Sequence, residues 1–399
     1  MQKEIYILEI NSKKKMSNKR KIFLVTERRA DFSRFKPILE LIKKDKKLDY
    51  DLVVTGSHLL KRHGYTINEI KKSKFKIFDK FNMFDSSYHN NDKGSGMSKA
   101  LGRAVIKLSE IIEKSKPDLI LSGFDIAANF AATVAGAHMN IPIAHIQGGE
   151  VSGNIDESLR HAMSKFSHYH FTANIDSKNR LIKMGEIDKN VFAVGCPSLD
   201  ALFAEKSLKK DHIFKKFKID IKNEFILIIQ HPVTTEADDS KSQIQKILKA
   251  LNKFKIQKLF VLPNNDSGAL NIIKIIKKNN VNHTSTLKLQ EYKTLLANCK
   301  ILIGNSSSGI HEAASYKKPV INIGNRQNGR LKPNNVIDVS CNTNEIIKKI
   351  NFILNDKKFN KSLKNLKNPY GDGNSAKRIV KHLKNIDISK NIIQKQITY

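Results

Sequence analysis

Residues 118–146, DLILSGFDIAANFAATVAGAHMNIPIAHI, predict a strand, a helix and a second strand in succession. DLILSG (118–123) has a continuous apolar centre, as in a strand that is buried on both faces of a sheet. AANFAATVAGAH (127–138) is rich in small residues and predicts a helix, and IPIAHI (141–146) predicts the next strand. This order favours a parallel sheet with helices on both of its faces.

The same alternation of strands and helices continues on both sides of this unit. Before it, strands are predicted at KIFLVT (21–26) and YDLVVTG (50–56), and a helix is predicted at 101–112. After it, further strands are predicted at EFILIIQ, KLFVLP, CKILIG and PVINIG, between residues 224 and 324. The alternation therefore forms two sets, which join between about residues 171 and 200.

Two alternating sets in a chain of 399 residues predict two Rossmann-like α/β domains. We place the first domain at 21–190 and the second at 191–374. Residues 1–20 are expected to be an N-terminal extension, in which Met16 offers a second start. Residues 375–399 are expected to contain a helix that packs back on the first domain.

The composition argues against several classes of protein. No apolar run reaches the length of about 18 residues that a membrane-spanning helix needs, and the N-terminus lacks the apolar core of a signal peptide. Cys196, Cys299 and Cys341 are far apart and form no metal-binding pattern, which is typical of a reduced, cytoplasmic compartment. The net charge of +33 is spread along the chain without a nucleic-acid-binding motif, so we expect no nucleic-acid partner.

Arginines are scarce beside lysines, and several of them fall in segments rich in glycine, serine and histidine. These are Arg28, Arg29, Arg160, Arg326 and Arg330. Arginine is preferred where a planar, two-pronged cation must hold a carboxylate or a phosphate. Their positions therefore favour an anion-binding site, with chance clustering as the alternative.

Polar segments follow the predicted strands at their carboxyl ends, where doubly wound sheets bind ligands. In chain order they are TERRADFS, SGFDIAAN, HIQGGEVSGNIDESLRH, QHPVTTE, PNNDSG, GNSSSGIHE and GNRQNGR. His145 and Asn264, from the third and fifth segments, are candidate binding residues.

GNSSSGIHEAA (304–314) is the best candidate for an anion site. Ser306 and Ser307 precede a predicted helix, whose free N–H groups and partial positive charge suit a phosphate. Gly309, in the first turn, would let a ligand approach the backbone. The alternative is that the serines only cap the helix.

HIQGGEVSGNIDESLRH (145–161) concentrates groups that can move protons. Asp156 and Arg160 are four residues apart and would share one helix face, as would Glu157 and His161. A helix cap with a surface ion pair is the alternative interpretation. His231 and Asp125, each at a predicted strand end, are further acid–base candidates.

Taken together, these segments resemble the hydrolysing branch of the UDP-N-acetylglucosamine 2-epimerases. TERRADFSRFKPI resembles the opening of that family, and HIQGGEVSGNIDESLRHAMSKFSHYHF resembles its most characteristic stretch. QHPVTTE, PNNDSG, GNSSSGIHEAA, PVINIGNRQNGR and YGDGN follow in the family's order. The resemblance extends from about residue 21 to about residue 386.

The resemblance implies a GT-B-like fold, in which two Rossmann-like domains face a cleft and the nucleotide binds mainly to the second. Ser306 and Ser307 match the family's phosphate serines, and Glu312 matches its ribose-binding glutamate. The other matched positions are Arg29, Ser33, His231 and Arg326 for the nucleotide and phosphates, and Asp125, Asp156 and Glu157 for the sugar.

The implied reaction has two steps and needs neither a metal nor another cofactor. First, the proton on sugar carbon 2 is removed and UDP leaves, which produces a 2-acetamido-glycal. Water then adds, so that free N-acetylmannosamine and UDP are released for the synthesis of sialic-acid-type sugars. The resemblance also implies a homo-dimer or homo-tetramer.

Two departures from the family pattern concern the sugar side. Gln147 stands where the family often has glutamate, so another carboxylate, such as Glu150 or Asp125, would have to act as the base. Ile126 stands where many members have arginine. A nucleotide-linked 2,4-diacetamido-trideoxyhexose is therefore an alternative substrate. Non-hydrolysing epimerase, glycosyltransferase and inactive sugar-nucleotide sensor are the other functions considered.

Overall fold

The computed structural model describes residues 19–61, 64–84, 94–152, 155–263 and 268–398. Within these ranges the chain forms two sheets, one of seven strands and one of six, and every strand pair is parallel. The predicted α/β fold class is confirmed. Most of the predicted N-terminal extension, and Asn264, lie outside the described residues.

The first sheet has the strand order β3-β2-β1-β4-β5-β6-β7. Its strands are β1 (Arg20–Thr26), β2 (Leu48–Val54), β3 (Ile77–Lys80), β4 (Leu119–Gly123), β5 (Ile143–Ile146), β6 (Tyr169–Thr172) and β7 (Val191–Ala193). The helices of this part are α1 (Arg29–Lys44), α2 (Ile67–Lys72), α3 (Gly94–Ser115), α4 (Ala127–His138), α5 (Asp156–Phe166) and α6 (Ile175–Lys183).

The second sheet has the order β10-β9-β8-β11-β12-β13. Its strands are β8 (Phe225–Ile229), β9 (Gln257–Val261), β10 (His283–Thr284), β11 (Ile301–Gly304), β12 (Val320–Ile323) and β13 (Val336–Val339). The later helices are α7 (Pro197–Ala204), α8 (Lys210–Lys216), α9 (Ser240–Leu251), α10 (Ala269–Lys278), α11 (Leu289–Asn298), α12 (Ser307–His311), α13 (Thr343–Asn355), α14 (Lys357–Ser362) and α15 (Ser375–Asn385).

Each sheet is covered on both faces, because consecutive strand residues point to opposite sides. In β1, Phe23 and Leu24 are both fully buried but belong to different apolar clusters. In β8, the neighbours Ile226 and Leu227 likewise belong to different apolar clusters. The continuous apolar runs of the sequence are thus explained by burial on two sides.

Helix α15 connects the end of the chain to the first sheet. Ile379 and Leu383 are fully buried in the cluster that contains Leu24. The carboxylate of Asp200 accepts hydrogen bonds from the backbone N–H groups of Ser375, at 3.1 Å, and Ala376, at 2.8 Å. This carboxylate fixes the first turn of α15, where free N–H groups and the helix dipole favour negative charge.

The turn after β11 requires a glycine. Gly304 has a φ of +131°, and a Cβ atom built on it would lie 2.1 Å from the carbonyl oxygen of Ile229. This close approach lets the loops after β8 and β11 lie side by side, and it fixes the entry into the serine segment.

We expect Gly304→Ala to lower the free energy of unfolding by about 2 kcal/mol or more, because the backbone is strained and the new Cβ collides with a backbone atom. Gly102→Ala is the matched control. Gly102 lies within α3, and a Cβ there meets no atom within 4 Å. Gly102→Ala should therefore raise the free energy of unfolding by up to about 1 kcal/mol, because alanine favours a helix more than glycine does. Thermal unfolding followed by circular dichroism would measure both, and equal melting temperatures would contradict the expectation.

Candidate active site

Asp125 and Arg160 form an ion pair at the carboxyl edge of the first sheet. Asp125 follows β4 in a turn where Phe124 and Asp125 both have positive φ, and its carboxylate accepts a hydrogen bond from the guanidinium of Arg160 on α5. The Arg160 side chain is only 2% exposed, and it also donates to the carbonyl oxygen of Glu150 at 2.8 Å. Burial acts to lower the pKa of Arg160, but Asp125 and Glu150 raise it above its usual value. Arg160 therefore stays charged between two acidic residues.

Glu150 is a buried carboxylate between the two sheets. It is 3% exposed, and its oxygens lie 3.3 Å from Nε2 of Gln147, 3.5 Å from Nε2 of His311 and 3.9 Å from Nη2 of Arg330. Burial opposes ionisation, but His311, Arg330 and Arg160 together hold the pKa of Glu150 well below its usual range. Glu150 is therefore ionised and a weak proton acceptor, which suits a structural anion better than a catalytic base.

Gln147 uses both ends of its amide. Its Oε1 accepts a hydrogen bond from Nη1 of Arg34 at 3.1 Å, and its Nε2 donates to Glu150 at 3.3 Å. An ionised carboxylate can only accept hydrogen bonds, so it could not reproduce the second contact. The surroundings of position 147 therefore suit the amide found here better than the glutamate that is frequent in the family.

The loops of the second sheet are held together around Asn305. Its side chain accepts from the backbone N–H of His231 at 2.7 Å and donates to the carbonyl of His231 at 2.8 Å. Its own carbonyl accepts hydrogen bonds from Arg326, at 3.2 Å, and Gln327, at 2.8 Å. Burial and, to a smaller extent, the charge of Arg326 lower the pKa of His231 to about 3. The ring is therefore neutral at pH 7.

The serine segment begins α12 as predicted. Ser306 is the N-cap residue and accepts hydrogen bonds from the backbone N–H of Ser308, at 3.4 Å, and from its hydroxyl, at 3.1 Å. Ser307 is the first helical residue and is half-buried. The role of Gly309 in ligand binding stays a prediction, and a Cβ at this position would lie 2.9 Å from Val320. The lack of a side chain there serves packing against β12.

Glu312 is the C-cap residue of α12 and is a buried carboxyl group. Burial raises the pKa of its carboxyl, and Arg34 and Ser198 act to lower it. The positive charge of Arg34, which is bonded to Gln147, thus favours the ionised form of Glu312.

Helix α5 presents its acidic first turn beside these groups. The Glu157 carboxylate accepts from the backbone N–H of Ser152 at 2.7 Å and lies 3.7 Å from Nε2 of His161, which is the expected i, i+4 pair. Asp156 and Arg160 were expected to share one face of the helix, and the charge of Asp156 contributes to the raised pKa of Arg160. Arg160 also donates a hydrogen bond to the carboxylate of Asp125, which the helical spacing did not predict.

Three further candidate residues make contacts within the protein. Arg29 pairs with Glu69 and donates to Thr286 of the second domain at 3.1 Å. The Ser33 hydroxyl donates to the carbonyl of Ala30 at 2.7 Å, within its own helix. His145 is completely buried and lies 3.1 Å from the hydroxyl of Ser164, so it supports the site from within the first domain.

The structure also adds residues that sequence reasoning missed. Arg34 and His311 were passed over, although Arg34 is a scarce arginine next to a strand-end segment and His311 lies in GIHE. Among the described residues, no group of three histidine, cysteine or carboxylate side chains could hold a metal ion. Within the same ranges, no helix is long and apolar enough to cross a membrane.

Comparison with known proteins places this geometry among sugar-nucleotide enzymes. The sequence profile of the UDP-N-acetylglucosamine 2-epimerase family matches residues 40–384. A Legionella pneumophila protein named UDP-N,N'-diacetylbacillosamine 2-epimerase (hydrolyzing) is 37% identical over 95% of this chain and 100% of its own length. A Campylobacter jejuni protein named GDP/UDP-N,N'-diacetylbacillosamine 2-epimerase (hydrolyzing) is 35% identical over 82% of this chain and 85% of its own.

Two proteins of Neisseria meningitidis are also similar. A UDP-N-acetylglucosamine 2-epimerase is 31% identical over 82% of this chain and 85% of its own. The crystal structure of a UDP-GlcNAc 2-epimerase bound to UDP-GlcNAc superposes with a TM-score of 0.80 at 22% identity, over 91% of this chain and 99% of that one. The latter likeness confirms the expected GT-B-like arrangement.

We expect Gln147→Glu to make stability depend on pH. Two carboxyl groups about 3 Å apart cannot both ionise freely, so one pKa rises in the folded state. The folded protein is then penalised as the pH rises above about 4, where the unfolded side chain ionises. The melting temperature should fall further below that of the wild type at pH 8 than at pH 5.

Gln147→Met is the control for this comparison, because it removes both hydrogen bonds without adding a charge. Its loss of stability should be the same at pH 5 and pH 8. A Gln147→Glu protein whose melting temperature follows the wild type at both pH values would contradict the account of this site.

Proposed function

The chain belongs to the UDP-N-acetylglucosamine 2-epimerase family, and on that premise we propose that it hydrolyses a UDP-linked 2-acetamido sugar with inversion at carbon 2. The observation that carries this proposal is the set of contacts between loops of the first sheet and loops of the second. Glu150 lies 3.5 Å from His311, and Arg330 donates to the carbonyl of Val151 at 3.0 Å. Residues of the first domain thus contact His311 of the serine segment and Arg330 in the loop after β12 of the second domain.

In the first step, a carboxylate would remove the proton from carbon 2 while the bond from carbon 1 to the diphosphate breaks. The electron pair of that bond leaves with UDP, and a 2-acetamido-glycal remains. Glu150 is the carboxylate least suited to this task, because its pKa is depressed by three cationic or hydrogen-bonding partners. The base would then be one of Asp125, Asp156 and Glu157, on the first-domain side.

On the second-domain side, Ser306, Ser307 and Arg326 would hold the departing diphosphate. Hydrogen-bond donors and cations that face a developing negative charge lower the barrier to its departure. His231 is neutral in the free protein, but the negative charge of a bound diphosphate would raise its pKa towards the working range. A protonated His231 could then protonate the leaving oxygen.

In the second step, water adds to the glycal. The hydroxyl group joins carbon 1, and a proton joins carbon 2 from the opposite face to the one that lost it. The products are UDP and the free 2-epimeric sugar, so the reaction consumes one water molecule and needs no oxidant or reductant.

We favour a UDP-linked 2,4-diacetamido-trideoxyhexose, namely UDP-N,N'-diacetylbacillosamine, over UDP-N-acetylglucosamine as the substrate. The Legionella relative that bears this substrate in its name aligns over 95% of the chain. The departures Gln147 and Ile126 also lie on the first-domain side, where the sugar would bind. UDP-N-acetylglucosamine is the second candidate, because a relative named for it is 31% identical over 82% of the chain.

The direct test is to incubate the protein with each sugar nucleotide in heavy water and to follow the products by proton NMR. We expect UDP and a free 2-epimeric sugar that carries deuterium at carbon 2, with the higher kcat/KM for UDP-N,N'-diacetylbacillosamine. A UDP-linked epimer would support a non-hydrolysing enzyme instead. An absence of turnover with both compounds would overturn the proposal.

We expect His231→Ala to lower kcat by about 100-fold or more, which is the usual scale for the loss of a general acid or base. The fold should remain intact, because Asn305 bonds the backbone of His231 rather than its ring. Asn305→Ala is the comparison, since it removes those backbone contacts and should lower the melting temperature. Turnover of His231→Ala within a few-fold of the wild type would remove His231 from the mechanism.

A further inference from the structure

The C-terminal segment after α15 returns to the first domain and ends beside α5. The Tyr169 hydroxyl donates to the carbonyl of Asp387 at 2.8 Å, and Nε2 of His168 lies 3.1 Å from the carbonyl of Ile393. The backbone N–H of Thr398 donates to the carbonyl of Gly185 at 3.2 Å. These contacts hold the backbone on either side of Lys395.

Lys395 places its ammonium group at the C-terminal end of α5. Nζ donates to the carbonyl oxygens of Ser164 and Ser167, both at 2.8 Å, and of Lys165, at 3.2 Å. The last carbonyls of a helix have no partner within it, and the helix dipole makes that end negative. A lysine ammonium has three N–H donors, and it supplies here what the helix itself lacks.

Glu186 holds the same ammonium from the other side. Its side chain is 1% exposed, and it contacts Lys395, Nε2 of His170 at 2.9 Å and Nζ of Lys165 at 3.2 Å. The Lys395 side chain is 18% exposed, so this ion pair is largely removed from water. Such a pair has a defined geometry, and removing one partner leaves a buried charge without compensation.

The other end of α5 carries the groups that the proposed reaction uses. Asp156 and Glu157 form its first turn, and Arg160 follows with its guanidinium on Asp125. Ser164, whose carbonyl accepts from Lys395, also donates its hydroxyl to the carbonyl of Arg160 at 3.1 Å. A shift of the last turn of α5 would therefore be transmitted to Arg160.

We propose that Lys395 is a positioning residue for the active site, which fixes α5 from its C-terminal end so that Arg160 and the acidic first turn meet the sugar correctly. This inference rests on the proposed function of the site. The partners of Lys395 are Glu186 and the carbonyl groups at the end of α5, none of which is assigned to the nucleotide. Its loss should therefore affect the chemical step and spare nucleotide binding.

The experiment compares Lys395→Met, which keeps the length of the side chain without its charge, with Lys395→Arg, which keeps the charge. Lys390→Met is the matched control, because Lys390 is an exposed lysine of the same segment. We expect Lys395→Met to lower kcat by about 10- to 100-fold, as for a small misplacement of reacting groups. KM and the Kd for UDP should change less than three-fold, Lys395→Arg should recover part of kcat, and Lys390→Met should match the wild type.

Melting temperatures and hydrogen exchange of the α5 amides complete the test. In Lys395→Met, amide hydrogen exchange should be faster than in the wild type in α5 but unchanged in α12, at a temperature well below melting. A kcat within two-fold of the wild type, or equal losses in kcat and UDP affinity, would overturn the proposal. If the wild type turned over no UDP-sugar, the proposed function would fail, and unchanged exchange in α5 would separately overturn the role of Lys395.

Discussion

The arrangement of the site depends on one buried charge. Glu150 lies between the two sheets, where an uncompensated carboxylate would cost several kcal/mol. It is kept ionised by Arg160 from α5, His311 from α12 and Arg330 from the loop after β12. Each of these side chains comes from a different element, so the need to compensate a single charge fixes where the loops of both domains meet.

The partners of Glu150 extend this constraint to the rest of the site. Arg160 bonds the Glu150 backbone and also holds the carboxylate of Asp125, so the proposed sugar side is oriented by the same arginine. Gln147 bonds Glu150 and also accepts a hydrogen bond from Arg34, whose charge acts to lower the pKa of Glu312 in the second domain. The far end of α5 is compensated separately, by Lys395 and Glu186. The helix that carries Arg160 is thus held by charge at both of its ends.

Apolar runs in the sequence were enough to predict the two sheets, because strands covered on both faces leave a continuous signal. The polar segments at the strand ends include loops that the structure brings into contact, as Glu150 and His311 show. Individual contacts were harder to predict. Helical spacing placed Asp156 and Arg160 on one helix face, but it did not show that Asp125, which is distant in sequence, accepts a hydrogen bond from Arg160. Local spacing contains no information about such long-range pairs.

Other residues of the site have no local pattern at all. Arg34 contacts Gln147, which is distant in sequence, and His311 contacts Glu150 of the other domain. The sequence around each gives no periodic signal for such contacts. The sequence also could not show that Gly309 packs against Val320. Val320 belongs to a different strand, and only the folded chain brings it near.

The amide at position 147 has a consequence for anion binding. An arginine paired with a carboxylate has much of its charge neutralised, whereas an arginine bonded to a neutral amide keeps its charge for a ligand. Arg34 donates to Gln147, so the contact orients its guanidinium without neutralising it. A glutamate at this position would hold Arg34 more tightly and would also repel Glu150. The exchange of a carboxylate for an amide can therefore strengthen the attraction for a diphosphate, even though it removes one candidate for the base.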